Sequence, residues 1–261
     1  MIKRHVKILD IVTQRQKLEV SALAELLGVS KVTIRKDLAE LEEMGVLRRE
    51  HGFAVTGAVD DVGRRLAYHY EIKKRIAQAA AQPVENGETV IIESGSCCAL
   101  LAEELANNKR DITIITNSAF IANHVRHASH LKIILLGGDY QRESQVVVGP
   151  IAIKCVEDFF TDKLFIGTDG FTEKFGFTGR NHLRAETVQG IAKQARQVMV
   201  LTESEKFSHQ GVVGLVRTAD VAAVYTDDRI PPDVEAFLAK NQVVVHKVPV
   251  DGSEGIPWNT V

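Results

Sequence analysis

The chain has 261 residues, with 32 Lys and Arg against 34 Asp and Glu, so its formal net charge is −2. At roughly 150 residues per domain, this length favours two domains over one. Apolar residues make up 45% and charged residues 25%, which excludes a disordered or collagenous chain. The three Cys are too few and odd in number for a disulfide framework, and they indicate a reducing compartment.

Targeting signals are not evident in the sequence. The first residues carry basic side chains but lack the uninterrupted apolar run of a secretory signal. No stretch approaches the roughly eighteen consecutive apolar residues of a membrane span. We therefore expect a soluble, cytoplasmic protein without a membrane partner.

The basic charge is concentrated at the start of the chain. Residues 1–56 hold 10 Lys and Arg against 8 Asp and Glu, whereas the remainder holds 22 against 26. A nucleic-acid partner is therefore compatible with the near-neutral total only if one face of the first segment carries the basic side chains.

The first two predicted elements are helices. Each has apolar residues at i, i+3 and i+4, the spacing of one helical face. These residues are Ile8, Ile11 and Val12 in the first helix, and Leu23, Leu26 and Leu27 in the second. Gly28 is predicted to end the second helix because glycine readily adopts the left-handed conformation of a helix C-terminus.

A third helix and a hairpin follow. Ser30 is predicted to cap the third helix by accepting a hydrogen bond from a free backbone N–H, and Gly45 to end it. The inward face of this helix holds Ile34, Leu38 and Leu41. Residues 46–55 are then predicted to form a hairpin with Gly52 at its turn.

The remainder of the chain predicts an α/β domain. A charged linker over residues 57–70 is followed by a helix over residues 71–82, which stops before Pro83. Short apolar runs then predict strands at 89–92, 112–116, 132–136, 164–167, 198–202, 221–226 and 243–248. Helical patterns lie between several of them, at 99–106, 119–127, 151–159, 186–196 and 232–240. Buried strands alternating with helices indicate a doubly wound, largely parallel sheet, and the last eleven residues are expected to form a loose tail.

The third helix has the features of a DNA recognition helix. Because its apolar residues face inward, its basic and hydroxyl side chains reach solvent near the helix start, where recognition helices contact base edges and phosphates. The hairpin would act as a wing on phosphates or the minor groove. The predicted DNA contacts are Ser30, Lys31, Thr33, Arg35, Lys36, Arg48, Arg49 and His51. Without the order helix, turn, capped helix and basic hairpin, the same helix could be an ordinary solvated one.

The residues LAELLGVSKVTIRKDLAELEEMGVLRREHGFAV resemble the N-terminal signature of the DeoR family of bacterial transcriptional regulators. The family pattern contains Gly-Val-Ser, Thr-Ile-Arg-Arg-Asp-Leu and His-Gly-Gly-Ala, and nearly every element is present. Lys36 replaces an Arg, which keeps the charge but loses the planar fork. Phe53 replaces a Gly of the wing, so the wing turn is expected to differ.

A second group of candidate site residues lies at the start of the α/β domain. The strand at 89–92 leads into the small, hydroxyl-rich loop Ser94, Gly95, Ser96 and Cys97, with a helix after it. Backbone N–H groups and the dipole at a helix N-terminus favour a phosphate. The same composition also occurs where a strand-to-helix turn is small for steric reasons alone.

The resemblance extends over roughly residues 3 to 248. The DeoR C-terminal domain is similar to ribose-5-phosphate isomerases, and its hallmarks match Thr116-Asn117, Gly137-Gly138, Glu186 and the run Glu203-Ser204-Glu205-Lys206-Phe207. The resemblance implies an effector site of Ser94, Gly95, Ser96, Cys97, Asn117, Gly138, Glu186 and Lys206. From the residues alone, Lys206 could equally be a surface lysine and Asn117 a helix cap. Glu93, Cys97 and Glu205 depart from the family's Asp, Thr and Ser, which suggests a different ligand.

The sequence thus predicts a winged helix-turn-helix domain at 1–57, a linker at 58–74, an effector-sensing domain at 75–250 and a tail at 251–261. The resemblance implies a repressor that binds operator DNA as a homodimer or homotetramer and responds to a phosphorylated sugar. The alternative is a sugar-phosphate isomerase with an appended DNA-binding domain, for which Glu93, Asp169 and Glu186 are the candidate bases. We expect no catalytic residue, no metal site and no cofactor, because neither metal-binding nor nucleotide-binding motifs occur.

Overall fold

The computed structural model describes residues 3–43, 46–55 and 62–250. The tail at 251–261, the predicted helix end at Gly45 and most of the predicted linker before residue 62 lie outside this range. The N-terminal elements are α1 (Lys3–Arg15), β1 (Lys17–Glu19), α2 (Val20–Leu27), α3 (Lys31–Glu43), β2 (Arg48–Glu50) and β3 (Phe53–Val55). The three predicted helices and the hairpin are confirmed. β1 was not predicted, and it pairs antiparallel with β3 to form a three-stranded sheet.

Local chemistry explains the helix-turn-helix boundaries. Gly28 ends α2 at φ 65°, in the left-handed region that glycine adopts without steric cost. The Ser30 hydroxyl accepts a hydrogen bond from the Thr33 backbone N–H at 3.1 Å, which satisfies a free donor at the start of α3. Both predictions for these two residues are confirmed.

Asp37 joins α3 to α1. It is buried, and its carboxylate accepts hydrogen bonds from Arg4 Nε at 2.5 Å and Arg4 Nη2 at 2.9 Å. This bidentate pair holds the pKa of Asp37 below its usual range. The Asp of the Thr-Ile-Arg-Lys-Asp-Leu run therefore stabilises the helix packing and does not face DNA.

The stretch predicted as a linker contains two helical segments. Residues Val62–Ala67 form the short helix α4, and α5 begins at Tyr70 and continues to Ala81. Val62 and Leu66 of α4 are buried and pack into the same apolar cluster as α1 and α5. Because its apolar face is covered, α4 is an ordered connection between the two halves of the chain.

The C-terminal half alternates strands and helices. Its strands are β4 (Thr89–Ile92), β5 (Thr113–Thr116), β6 (Lys132–Leu135), β7 (Asp139–Gln141), β8 (Val146–Val148), β9 (Thr161–Ile166), β10 (Gly170–Thr172), β11 (Gly176–Gly179), β12 (Ala195–Leu201), β13 (Val213–Val216), β14 (Val221–Asp227) and β15 (Val244–Val248). Its helices after α5 are α6 (Ser96–Asn108), α7 (Ala119–His124), α8 (Pro150–Val156), α9 (His182–Ala192) and α10 (Pro232–Lys240). Seven strands form the main sheet in the order β15-β14-β12-β9-β4-β5-β6, and all its pairings are parallel.

Helices cover both faces of this sheet. In β4, Val90 and Ile92 face the cluster formed with α5, α6 and α7, whereas Ile91 faces the cluster formed with α8, α9 and α10. Alternate residues of a strand point to opposite faces, so a strand buried on both faces is apolar throughout. The predicted doubly wound α/β fold is confirmed.

The strand order reverses between β4 and β9. The chain runs from β4 outwards through β5 and β6, and then returns to place β9 on the other side of β4. Such a reversal leaves a crevice at the carboxyl ends of the two central strands. No helix in the described ranges is long and apolar enough to cross a membrane.

Two smaller sheets were not predicted. β7 and β8 form an antiparallel hairpin, and β10, β11 and β13 form a three-stranded antiparallel sheet. At Gly211 an added Cβ would lie 2.3 Å from the Gly179 carbonyl oxygen. Glycine is therefore required there for the segment before β13 to approach the end of β11.

Candidate functional site

The start of α3 presents a polar, partly basic surface. Ser30, Lys31, Arg35 and Lys36 are exposed, and Thr33 is half-buried. The Thr33 hydroxyl lies 2.9 Å from the Ser30 hydroxyl, so these two residues form the helix cap together. The two residues retain exposed oxygen atoms at the helix start, and the basic side chains lie around them.

Sequence reasoning missed one apolar residue on this surface. Val32 on α3 is 73% exposed although it is β-branched and apolar. It lies three residues before Arg35, so both project from one helical face. An exposed methyl group beside an arginine is the combination that contacts a thymine next to a guanine in the major groove.

The wing is formed by β2 and β3 around a turn at His51 and Gly52, which have φ angles of 47° and 88°. Arg48, Arg49 and His51 are all exposed. Arg49, however, is held by Glu42 of α3, with its Nε 2.6 Å from Oε2 and its backbone N–H 2.9 Å from Oε1. The structure thus gives Arg49 a role in attaching the wing to α3.

Phe53 occupies the wing position where the family pattern has a Gly. It is the first residue of β3, and the Lys17 ammonium lies 4.7 Å from the centre of its ring. This cation–π contact joins the wing to β1. The substitution therefore adds a packing interaction beyond the turn itself.

A cavity of about 310 Å³ lies at the reversal of strand order. One wall is the loop after β4, from Glu93 to Cys97, and the opposite wall is the loop after β9, from Gly167 to Asp169. The Gly95 and Gly167 backbones approach closely, since a Cβ on Gly95 would lie 3.8 Å from the Gly167 Cα. The predicted residues Ser94, Gly95, Ser96 and Cys97 all line this cavity.

The geometry of the first loop suits an anion. Gly95 precedes α6 with φ 121° and ψ 160°, a conformation that only glycine adopts readily, and no side chain caps the helix. The first helical hydrogen bond runs from Ala99 N–H to the Gly95 carbonyl at 2.9 Å. The N–H groups before Ala99 therefore remain available at the positive end of the helix dipole.

Cationic side chains outnumber acidic ones around the cavity. The six cationic residues are Arg64, Arg65, Lys73, Arg180, Arg184 and Lys206, and the three acidic residues are Glu93, Asp169 and Glu203. Glu203 is buried, and its carboxylate pairs with Lys73 Nζ at 3.0 Å. Burial alone would raise the pKa of Glu203, but the charges of Lys73 and Lys206 reverse this and hold its pKa below the usual range. The lining as a whole favours a negatively charged ligand.

Glu93 has the opposite character. It is buried at the end of β4, and it accepts a hydrogen bond from the Ser94 hydroxyl at 2.6 Å. Burial raises the pKa of Glu93 and outweighs that bond, so the ionised form is less favourable here than in water. When protonated, the carboxyl can donate a hydrogen bond to a ligand oxygen without repelling an anion.

Burial also raises the pKa of Cys97 and Cys98 far above the usual thiol value. The Cys97 thiol lies 3.8 Å from a Glu203 carboxylate oxygen, which further opposes ionisation. A protonated thiol is a poor nucleophile, so the vicinal cysteines are placed as small core residues.

Lys206 lies in a short 3₁₀ helix over Ser204–Ser208, after β12. Its side chain lines the cavity and is 26% exposed, with Nζ 3.6 Å from Glu205. Glu205, which departs from the family's Ser, also accepts a hydrogen bond from the Tyr68 hydroxyl at 3.0 Å. Glu205 therefore connects Tyr68, just after α4, to the 3₁₀ helix that carries Lys206.

One group of potential metal ligands occurs in the described ranges. Ligand atoms of His69, Glu203 and Glu205 lie within 4.8 Å of one another. Lys73 already neutralises Glu203, and Tyr68 donates to Glu205. These contacts occupy the carboxylates that a cation would need, so the residues fit a metal ion poorly.

Three of the predicted effector residues do not line the cavity. Asn117 is buried, and its Nδ2 donates to the Val147 carbonyl at 3.2 Å, which attaches β8 to the main sheet. It is not a helix cap either, because Ser118 caps α7 by accepting from Ile121 N–H at 3.2 Å. The Asn117 amide nitrogen thus supports β8, while its Oδ1 is buried without a hydrogen-bond partner in the described ranges.

The other two are Gly138 and Glu186. An added Cβ on Gly138 would lie 2.7 Å from the Val148 carbonyl oxygen, so this glycine allows the β7–β8 hairpin to close. Glu186 is exposed on α9, because its neighbours Ala185 and Thr187 occupy the buried side of the helix. Neither residue is positioned to contact a ligand in the cavity.

Most of the cavity lining lies outside the predicted effector residues. Arg180, Asn181 and Arg184 come from the start of α9, where Asn181 caps the helix by accepting from Arg184 N–H at 3.0 Å. Arg64 and Arg65 come from α4, which was taken for a linker. The available signal was the pair of adjacent arginines in a stretch with apolar residues at helical spacing, Val62 and Leu66.

Comparison with known proteins identifies the family. Residues 68–228 match the DeoR C terminal sensor domain, and residues 4–57 match the DeoR-like helix-turn-helix domain. The chain belongs to the DeoR family. It is a DNA-binding transcriptional regulator, as the sequence resemblance predicted.

Relatives of similar length support this assignment. The chain is 29% identical over 244 residues to the glycerol-3-phosphate regulon repressor of Escherichia coli K12, covering 92% of this chain and 96% of the relative. It is 28% identical over 250 residues to the transcriptional repressor CsqR of the same organism, covering 93% and 94%. A ribose 5-phosphate isomerase from Plasmodium falciparum aligns structurally with a TM-score of 0.40 and 15% identity, covering 52% of each chain.

Proposed function

We propose that this DeoR-family regulator is a repressor whose operator binding changes when a phosphorylated sugar or similar anionic metabolite enters the cavity between β4 and β9. The observation that carries the proposal is the charge of the lining, six Lys and Arg against three acidic groups. Of those three, Glu203 is paired with Lys73, and burial raises the pKa of Glu93, which opposes its ionised form. A lining in which cations outnumber acids in this way favours an anionic ligand over an uncharged one.

The proposed binding mode follows from the wall chemistry. The phosphoryl group lies at the start of α6, on the N–H groups after Gly95 and the hydroxyl of Ser96. The Ser94 hydroxyl donates to Glu93 and holds that carboxyl beside the ligand. Lys206 neutralises it from the opposite loop, and Asn181 and Arg184 contact the sugar hydroxyls from α9. This assignment replaces Asn117, Gly138 and Glu186 as sugar contacts.

On DNA, we propose that Lys31, Thr33, Arg35 and Lys36 of α3 enter the major groove, with Ser30 at the helix start on a phosphate. Arg48 and His51 contact the backbone from the wing. Relatives named as repressors support repression. We further propose domain limits of 1–57 and 75–250, and a homodimer or homotetramer that matches a two-fold operator.

We also propose that the protein does not turn over its ligand. An isomerase needs a carboxylate base against the substrate carbon. Of the three candidates, Glu186 is exposed outside the cavity, and Asp169 accepts a hydrogen bond from the Arg180 backbone N–H at 3.1 Å. Burial raises the pKa of Glu93, which opposes the ionised state that a base requires.

The test measures ligand binding and operator release together. Ribose 5-phosphate, glucose 6-phosphate and glycerol 3-phosphate, each with its unphosphorylated counterpart, are screened by thermal unfolding, since a ligand specific for the folded state raises the midpoint. We expect only the phosphorylated compounds to raise the unfolding midpoint and to release operator DNA. Lys206→Ala should bind operator as wild type but no longer release it when the compound is added. The coupling lost between ligand binding and DNA binding should be about 1–3 kcal/mol. Isomerisation by purified protein, or equal shifts by the unphosphorylated compounds, would contradict the proposal.

A further inference from the structure

The side chain of Arg65 is half-buried, and two of its nitrogen atoms have no hydrogen-bond partner in the described ranges. Its Nε and Nη2 atoms are inaccessible to solvent, and no acceptor in the described ranges forms a hydrogen bond with either. Arg65 lies on α4 and lines the cavity. Buried N–H groups of a guanidinium are costly unless an anion or another acceptor satisfies them. The orphaned N–H groups, one on Nε and two on Nη2, therefore point to an oxyanion as their partner.

A second unpartnered polar group enters the same cavity from the DNA-binding half. Thr13 of α1 is 7% exposed, lines the cavity, and has a buried hydroxyl without a hydrogen-bond partner in the described ranges. Buried hydroxyls are normally satisfied by protein or water. Thr13 and Arg65 thus supply unused donors on the side of the cavity that faces the helix-turn-helix.

The end of α4 is anchored to the sensor half. Lys73 of α5 is buried, and its Nζ donates to the carbonyls of Arg65 and Tyr68 while pairing with Glu203. The Tyr68 hydroxyl donates to Glu205 beside Lys206. These contacts set the position of Arg65 relative to the loops that form the cavity.

The other side of α4 is continuous with the DNA-binding core. Val62 and Leu66 belong to the apolar cluster that contains Leu9 and Val12 of α1. Through Asp37, α1 is in turn paired with α3. A shift of α4 or α1 would therefore be transmitted to α3 through packed side chains and one ion pair.

We propose that Arg65 is an oxyanion ligand, which binds the phosphoryl group opposite the start of α6, and that Thr13 contacts the same bound molecule. The effector would then bridge the sensor sheet, α4 and the first helix of the DNA-binding domain. This inference rests on the proposed function and adds the path of regulation, because the ligand itself contacts the DNA-binding domain. The occupied and empty states would differ in the position of α1 against α4, and so in the placement of α3 on DNA.

The experiment uses the full chain with two probes, inorganic phosphate and ribose 5-phosphate. Affinity is measured by calorimetry for wild type, Arg65→Gln and the matched control Arg75→Gln. Arg75 lies on α5 outside the cavity and donates to the Pro249 carbonyl at 2.8 Å. We expect Arg65→Gln to weaken both probes by about ten- to hundredfold, as for a lost hydrogen bond to a charged group, and the control to bind as wild type.

Further variants keep the result interpretable. Arg65→Lys retains the charge without the planar fork, and it should fold and bind with intermediate affinity even where Arg65→Gln is unstable. Thr13→Val keeps the shape of the side chain. It should lower the affinity for ribose 5-phosphate by about two- to tenfold and reduce the release of operator DNA. Wild-type affinity in both Arg65 variants would overturn the inference and leave the proposed function intact. Absence of any saturable binding to wild type would instead overturn the proposed function, and the inference with it.

Discussion

The surface proposed to read DNA and the proposed effector cavity are built in different ways. The DNA surface comes from one short segment, in which cap, turn and helix follow directly in sequence, and its basic side chains are exposed. The cavity collects side chains from α1, α4, α5, α9 and three loops at strand ends, and two of its charges, Lys73 and Glu203, are buried as a pair. The first can therefore be changed residue by residue, whereas a change in the second alters neighbours that also hold the fold.

This difference predicts two kinds of mutational effect. Salt and water screen the exposed charges of the DNA surface from one another, so each should contribute separately to the free energy of DNA binding. Buried groups such as Glu203 and Lys73 are coupled, and removing one leaves the other uncompensated. Variants of exposed residues test the DNA surface, and the cavity is best tested with isosteric variants.

The largest effect is expected at Arg35. Its exposed position on α3, on one face with Val32, places it to form a bidentate contact with a guanine. Arg35→Ala should lower operator affinity by about 1–3 kcal/mol, or roughly 5- to 150-fold, with little change on scrambled DNA. Competition binding with both DNA sequences measures the ratio.

The matched control is Arg196→Ala, because Arg196 is an exposed side chain of the sensor half that pairs with Asp162 at 3.4 Å. It should bind both DNA sequences as wild type. A wild-type ratio of operator to scrambled affinity in Arg35→Ala would remove Arg35 from base readout.

Elements encoded by one local segment of sequence were easier to predict than the cavity, which distant segments form together. The three helices, the hairpin and the seven strands of the main sheet were predictable because each has its own apolar period and end signal. Ser94 to Cys97 and Lys206 line one cavity because they follow parallel strands whose carboxyl ends share one edge, and their role as effector contacts stays a prediction.

The differences between the predicted site and the cavity lining have physical causes. Asn117, Gly138 and Glu186 come from a family pattern and do not line the cavity, and a pattern does not distinguish a residue that supports a loop from one that contacts a ligand. Arg65 was missed because its environment depends on packing between α4 and helices distant in sequence. The spacing of Val62 and Leu66 indicates a helix, but it does not show which residues of that helix face the cavity.

A smaller effect is expected from the protonation of Glu93. Burial raises the pKa of this carboxyl, so it is neutral at low pH and becomes a repelling carboxylate as pH rises through its elevated pKa. Anion affinity should therefore be highest at low pH. The expected fall is roughly tenfold, which corresponds to a one-unit change in the Glu93 pKa on binding.

Sulfate is the appropriate probe because its charge is constant over this range, and calorimetric titrations from pH 5 to 8 give the profile. Glu93→Gln should bind sulfate with no such decrease, at the low-pH affinity of wild type. Glu186→Gln is the control, because Glu186 is exposed outside the cavity. The same pH profile in wild type and Glu93→Gln would assign the dependence to another group.

The smallest effect distinguishes two neighbouring arginines of the wing. Arg49 is neutralised by Glu42, with Nε 2.6 Å from Oε2, whereas we propose that Arg48 contacts a phosphate. Arg48→Ala should therefore flatten the plot of log affinity against log salt by about 0.9, the value for one lost phosphate contact. Arg49→Ala should leave the slope unchanged, and Glu42→Ala should steepen it by releasing Arg49 to DNA. Filter binding on operator DNA at several salt concentrations measures all three slopes.

Equal flattening in Arg48→Ala and Arg49→Ala would mean that DNA displaces Glu42 from Arg49. The wing would then contact the DNA backbone through both arginine side chains.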